Sequence, residues 1–202
     1  MAEPRPPYKV TFTADQIPTK IDHSSRVPGP NGPSANRAGY TSVRFDGKGM
    51  LSFDSGLGSP RRDGRVPFFF NSVNVCFRLT DFDVKVSSDY PVGSCPYKVT
   101  LQHELDAHIR APIMIMNGYR DALISKLNSI LLPTVQVPRW ISPSDRDSVE
   151  QAYQDPVVGA VRQIRDQVSA ALRKDRADQD SPDKYKAVYD KCSVVEWTRP
   201  GK

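Results

Sequence analysis

Histidine and cysteine are scarce in this sequence, with three of each among 202 residues. The cysteines, Cys76, Cys95 and Cys192, make no CxxC pair and no zinc-ribbon spacing, which excludes a cysteine-built metal module. Long apolar runs are missing too: none approaches the ~20 residues needed to cross a bilayer, so no membrane partner is expected. The N-terminal Met-Ala-Glu-Pro-Arg-Pro-Pro lacks the apolar stretch of a secretory signal. Synthesis in the cytosol is the expectation, with later delivery outside the cell or into a virion left open. Concentrated charge is also absent. The net charge is +5, and the basic residues Arg61, Arg62, Arg162, Arg165, Arg173 and Lys174 are scattered. Most aromatics fall in alternating strand patterns rather than among basic residues, so a solvated basic face is favoured over a nucleic-acid partner.

What the chain does have is enough length for one full core, and a single α+β domain over residues 1–202 is the expectation. An extended segment (1–36) leads into an antiparallel β half (37–90) and then a helical half (91–202). In the β half, residues 8–13 alternate, with Val10 and Phe12 on one face, and the Pro/Gly/Ser-rich stretch 27–38 reads as a loop. Residues 40–45 and 50–53 look like short strands around the turn Asp46-Gly47-Lys48-Gly49, followed by a second loop over 55–66. Val73, Val75, Phe77 and Leu79 recur at period two, as do Phe82, Val84 and Val86, with Thr80-Asp81 as a plausible hairpin turn. Cys76 in this run reads as a small buried hydrophobe.

In the helical half, Ser94 is placed to cap a helix carrying Val99, Leu101, Leu105 and Ile109 that stops near Pro112. A second helix over 113–132 is bounded by Pro112 and Pro133. A short helix follows Ser144, another opens at Asp155-Pro156, and a last one runs from Ser181-Pro182 towards Cys192. Cys95 and Cys192 lie beside helix ends. A bridge between them would suit an oxidising compartment, three free thiols would not, and the sequence leaves both open.

One segment concentrates chemistry. Two of the three histidines flank a glutamate in His103-Glu104-Leu105-Asp106-Ala107-His108. In the HExxH zinc motif the histidines are four apart on one helix face, and the glutamate polarises a metal-bound water. Here they are five apart, and five steps of ~100° leave them about 140° apart on an ideal helix. A π-bulge would absorb the extra residue, and such bulges recur at functional sites. A regular helix would instead make the segment a polar face, with Asp106 and Arg110 paired one turn apart.

The segment resembles the His-Glu-Leu-Leu-Gly-His motif of the dipeptidyl peptidase III family, over these six residues. That resemblance implies zinc held by His103 and His108, with Glu104 as general base. A broader stretch, from Tyr90-Pro91-Val92-Gly93-Ser94-Cys95-Pro96-Tyr97 through His103-Glu104 to Asp180-Ser181-Pro182-Asp183-Lys184-Tyr185, is similar to small bacterial zinc-metallopeptidase-like proteins. It implies a peptidase acting on a peptide or protein substrate.

A third ligand is needed, and Glu150 is the first candidate, ahead of Asp147, Asp121 and His23. Ser94 lacks a full nucleophile elbow, and the Gly-rich stretches lack the P-loop ending. The alternative is a structural or interaction protein of a larger assembly, such as a phage particle or secretion apparatus, with a vestigial or structural metal site.

Overall fold

The structure, a computed structural model, describes residues 8–14, 21–29, 32–46, 52–136 and 139–198. Strands β1 (Tyr8–Ala14), β2 (Val27–Gly29), β3 (Gly32–Arg37), β4 (Gly39–Asp46), β5 (Ser52–Leu57) and β6 (Val66–Val86) occupy the first half. Helices follow: α1 (Cys95–Leu105), a π segment (Asp106–Arg110), α2 (Ala111–Gly118), α3 (Arg120–Gln136), α4 (Arg146–Gln179), α5 (Pro182–Tyr189) and α6 (Val194–Thr198). A short strand, β7 (Arg139–Ile141), and a 3-10 turn (Pro143–Asp145) separate α3 from α4. The α+β expectation is met, with the addition that β7 returns to the sheet from the helical half.

β6 organises the sheet, because β1, β4, β5 and β7 all pair with it. The alternation read from sequence as two strands and a hairpin is one strand with two changes of phase. Its buried residues are Val66, Phe68 and Phe70, then Val73, Val75, Phe77 and Leu79, then Val84 and Val86. The first change coincides with a register shift opposite β5, where Asp54 pairs with Ser72 but Ser55 pairs with Phe70, stepping past Asn71. The second lies around Asp81, whose φ of 57° is in the left-handed region. Each extra residue returns the apolar side chains to the buried face, which a straight strand of this sequence would fail to do. Burial therefore overrides the turn chemistry of Thr80-Asp81.

Four further expectations are corrected. The stretch 27–38 contains an antiparallel ribbon, β2 with β3, pairing Val27 with Arg37 and Pro28 with Asn36. A polar sequence is no bar there, since the ladder uses main-chain groups. β5 continues to Leu57, into the expected second loop. Pro112 and Pro133 do not end helices, as α2 and α3 run through them. Nor does Pro156 open one: it lies inside the single helix α4. There a continuous stripe, Val149, Val157, Ala160, Val161, Ile164 and Val168, is buried along the helix, and packing outweighs the cost of one lost backbone bond. Gly47, Lys48, Gly49 and Met50, and the side chain of Val10, lie outside the described residues.

The chain forms two compact units, each assembled from three stretches of sequence. The first holds β1 to Thr13, β5, β6 to Arg78, α3, β7 and α4 to Ser169. Its core joins Phe68 and Phe70 to Tyr153, Phe12 to Phe77, and the buried leucines 123, 127 and 131 of α3. Cys76, expected buried, is half-buried there, its Sγ 3.8 Å from the Thr13 hydroxyl. The second unit holds residues 21–45, β6 from Leu79, α1 with the π segment and α2 to Met116, and the chain from Ala170 onward. The HELDAH segment and both bridged cysteines belong to this second unit.

Candidate metal centre

Gly93, with φ 88°, turns the chain into α1, and Ser94 caps the helix by accepting the Tyr97 N–H at 3.3 Å. Cys95 and Pro96 form the first turn, as expected. The helix is regular until Leu105, then widens: the Ala111 N–H donates to the Asp106 carbonyl, five residues back. This π segment, Asp106–Arg110, places the extra residue of the motif and ends two residues ahead of Pro112. Proline has no N–H, and its ring needs room at the carbonyl of residue 108. A wide turn at that point accommodates both.

The wide turn brings the two imidazoles together. The rings of His103 and His108 lie edge to face with centroids 5.2 Å apart. His103 also meets the Tyr185 ring of α5 at 5.5 Å, and its Nε2 is buried with no hydrogen-bond partner among the described residues. His108 is buried, with Nε2 3.4 Å from Asp180 Oδ1. Asp180 accepts a hydrogen bond from the Tyr185 hydroxyl at 3.0 Å and has Arg176 3.8 Å away. Burial lowers the pKa of both histidines, while Asp180 acts in the opposite direction. Lys191 and Lys184 add to the lowering at His103, and His103 itself does so at His108. The neutral imidazole is therefore the favoured form, which is the form that binds metal.

Glu104 is engaged on β4. One residue on from His103, its side chain is turned to β4 and is 2% exposed. Its Oε2 accepts the Thr41 hydroxyl at 2.7 Å. Gly39 faces it so closely that a Cβ there would stand 2.7 Å from Glu104 Oε1 and 2.5 Å from Thr100 Cγ2. Only glycine lets strand and helix approach this far. The expected base is thus a buried link between α1 and β4.

The candidate third ligands do not join the histidine pair in a metal-binding group. Glu150, in the first unit, accepts hydrogen bonds from Ser55 at 2.7 Å and Gln154 at 2.8 Å, with Arg146 4.0 Å away. Asp147 and Asp121 are exposed in the first turns of α4 and α3. His23 contacts the Val86 carbonyl through Nδ1 at 3.0 Å and packs against Tyr97. Among the described residues, no three His, Cys, Asp or Glu side chains form a group able to hold a metal ion. The carboxylate beside the histidines is Asp180, which sequence reasoning passed over. It is remote from the motif in sequence, and its stretch Asp-Ser-Pro reads as an ordinary helix start.

Cys95 and Cys192 form a disulfide, with Cα atoms 5.9 Å apart. It ties the start of α1 to the segment after α5, and an open cleft of about 330 Å3 beside His103 is lined by α1, the π segment, the end of α4 and α5 with Lys191. No described helix is long and apolar enough to cross a membrane. Comparison with known protein families, characterised proteins and solved structures gives no match.

Proposed function

We propose that His103 and His108 are ligands of a zinc ion and that the chain is a zinc-dependent hydrolase acting on peptides. The observation that carries this reading is the π turn. It costs regular helix geometry, and what it achieves is the meeting of two imidazoles whose neutral form is favoured, one with a buried Nε2 lacking a hydrogen-bond partner among the described residues. Zinc takes neutral imidazoles, commonly with a carboxylate as third ligand, and supplies an activated water. The donors fit in part. The histidine pair is in place, Asp180 is the adjacent carboxylate, and a shift of Asp180 away from Tyr185 would be required to complete the set. Glu104 is bound to Thr41, so the general-base role that the motif implies is not retained for it in this arrangement.

A second reading, a structural or interaction component of an assembly, is favoured by that same Glu104 contact. A motif glutamate consumed in packing is what a vestigial site would show. Zinc titration of purified chain, with His103→Asn, His108→Asn and Asp180→Asn beside it, separates the two, together with mass spectrometry of a peptide mixture. One zinc per chain, lost in both histidine variants, with zinc-dependent cleavage, is the expected result. Absence of stoichiometric zinc would sink the hydrolase reading, and zinc without cleavage would make the metal structural.

A further inference from the structure

The cleft beside His103 has an uneven lining. Small apolar lining comes from exposed Ala187 and buried Val188, and two exposed lysines, Lys184 and Lys191, line it as well. Neither lysine has a carboxylate within ion-pair distance among the described residues. This sets them apart from Lys174, Lys186 and Lys85, which pair with Asp178, Asp190 and Asp22. Asp106 also lines the cleft, but its carboxylate is bound by both Gln102 and Arg110, so its charge is already matched. The disulfide at Cys192 fixes the residue next to Lys191 to the start of α1, which limits how far that wall can move. Two exposed lysines without an ion-pair partner among the described residues, lining one concave, small-molecule-sized space, are an arrangement that recognises negative charge.

We propose that this cleft binds an oxyanion ligand, a carboxylate or phosphate group held between Lys184 and Lys191. Each ammonium offers three donors and a compact charge, so the site selects by charge rather than by planar geometry. Ala187 and Val188 give the uncharged part of the ligand an apolar surface to cover. This inference stands independently of zinc, and it would make the substrate of the proposed hydrolase anionic.

The test is titration of the full disulfide-bonded chain with inorganic phosphate and, separately, citrate. Binding is read by NMR shifts or calorimetry at constant ionic strength, on chain freed of metal beforehand and held in chelator-free buffer. Saturable binding is expected, weakened about tenfold or more in Lys184→Ala/Lys191→Ala. It should stay within about twofold in Lys174→Ala/Lys186→Ala, which removes the same charge from two ion-paired surface lysines. Binding of phosphate alone assigns a phosphate ligand, and binding of citrate alone a carboxylate one. No saturable binding of either, or equal weakening in both double variants, overturns the proposal. Because the chain is metal-free throughout, failure here is distinct from failure of the zinc titration.

Discussion

Burial disfavours the charged form of an imidazole, and both half-buried His103, with its unpartnered Nε2, and buried His108 are subject to it. Their folded pKa values lie below the ordinary 6.5, chiefly through burial. In the unfolded chain both titrate near the ordinary value. As pH falls below about 6.5 the unfolded state therefore takes up protons before the folded state does. Stability is complete above that pH and declines as pH drops towards the folded values. In metal-free protein the melting temperature of the native chain should fall more between pH 7 and pH 5 than that of His103→Asn/His108→Asn. Parallel curves for the two proteins would show that the pair is not held neutral. At this same scale, Glu104 illustrates how residue identity can mislead. A carboxylate beside a motif histidine carries the signature of a base, yet the glycine at position 39 allows β4 close enough to capture it.

At the scale of elements, β6 and the α1–π–α2 helix are governed by one rule: an inserted residue is absorbed where burial demands it. In β6 the second phase change centres on Asp81, held at φ 57°. A left-handed conformation costs a non-glycine residue about 1–2 kcal/mol, less for aspartate than for most. Its exposed partner Arg44, 3.9 Å away, contributes little in return. Asp81→Gly is expected to raise stability by up to about 1 kcal/mol, and Asp81→Val to lower it by about 1–2 kcal/mol, in denaturant unfolding followed by circular dichroism. If valine were as good as glycine, the strand would be regular there and the phase argument would fail. In the helix, the π segment overlaps the second half of the six-residue motif and ends two residues ahead of Pro112. Both sequence features were visible, and their combination yields a wide turn without ending the helix.

At the scale of the molecule, each of the two units is discontinuous in sequence, and only the second carries a disulfide. The Cys95–Cys192 bridge spans 97 residues of sequence. Closing so long a loop stabilises the folded state by about 4–5 kcal/mol in the chain-entropy treatment, with smaller gains common in practice. Reduction, or Cys95→Ser/Cys192→Ser, should therefore lower stability by a few kcal/mol. Hydrogen exchange should show the loss in α1 and α5 first, because these are the elements the bridge joins. Uniform loss of protection across α3 as well would mean that the bridge stabilises the whole chain rather than its own unit.

The α+β class, the helix start at Ser94, the Ser181-Pro182 helix start, the π turn and the meeting of the two histidines were legible in the sequence. These depend on local pattern: side-chain period, a cap, a proline, and a spacing of five in place of four. The Cys95–Cys192 pairing was legible only as one of two options, since bridging requires Cα separation that spacing along the chain does not specify. What only the tertiary structure decided is non-local. Asp180 stands beside His108, Glu104 is turned to Thr41, Glu150 is spent on Ser55 and Gln154, and β6 continues through Asp81. Apart from the Glu150–Gln154 bond, four residues apart on α4, these depend on segments remote in sequence. There the burial of apolar side chains and the satisfaction of polar ones outweigh the local preferences that sequence patterns record.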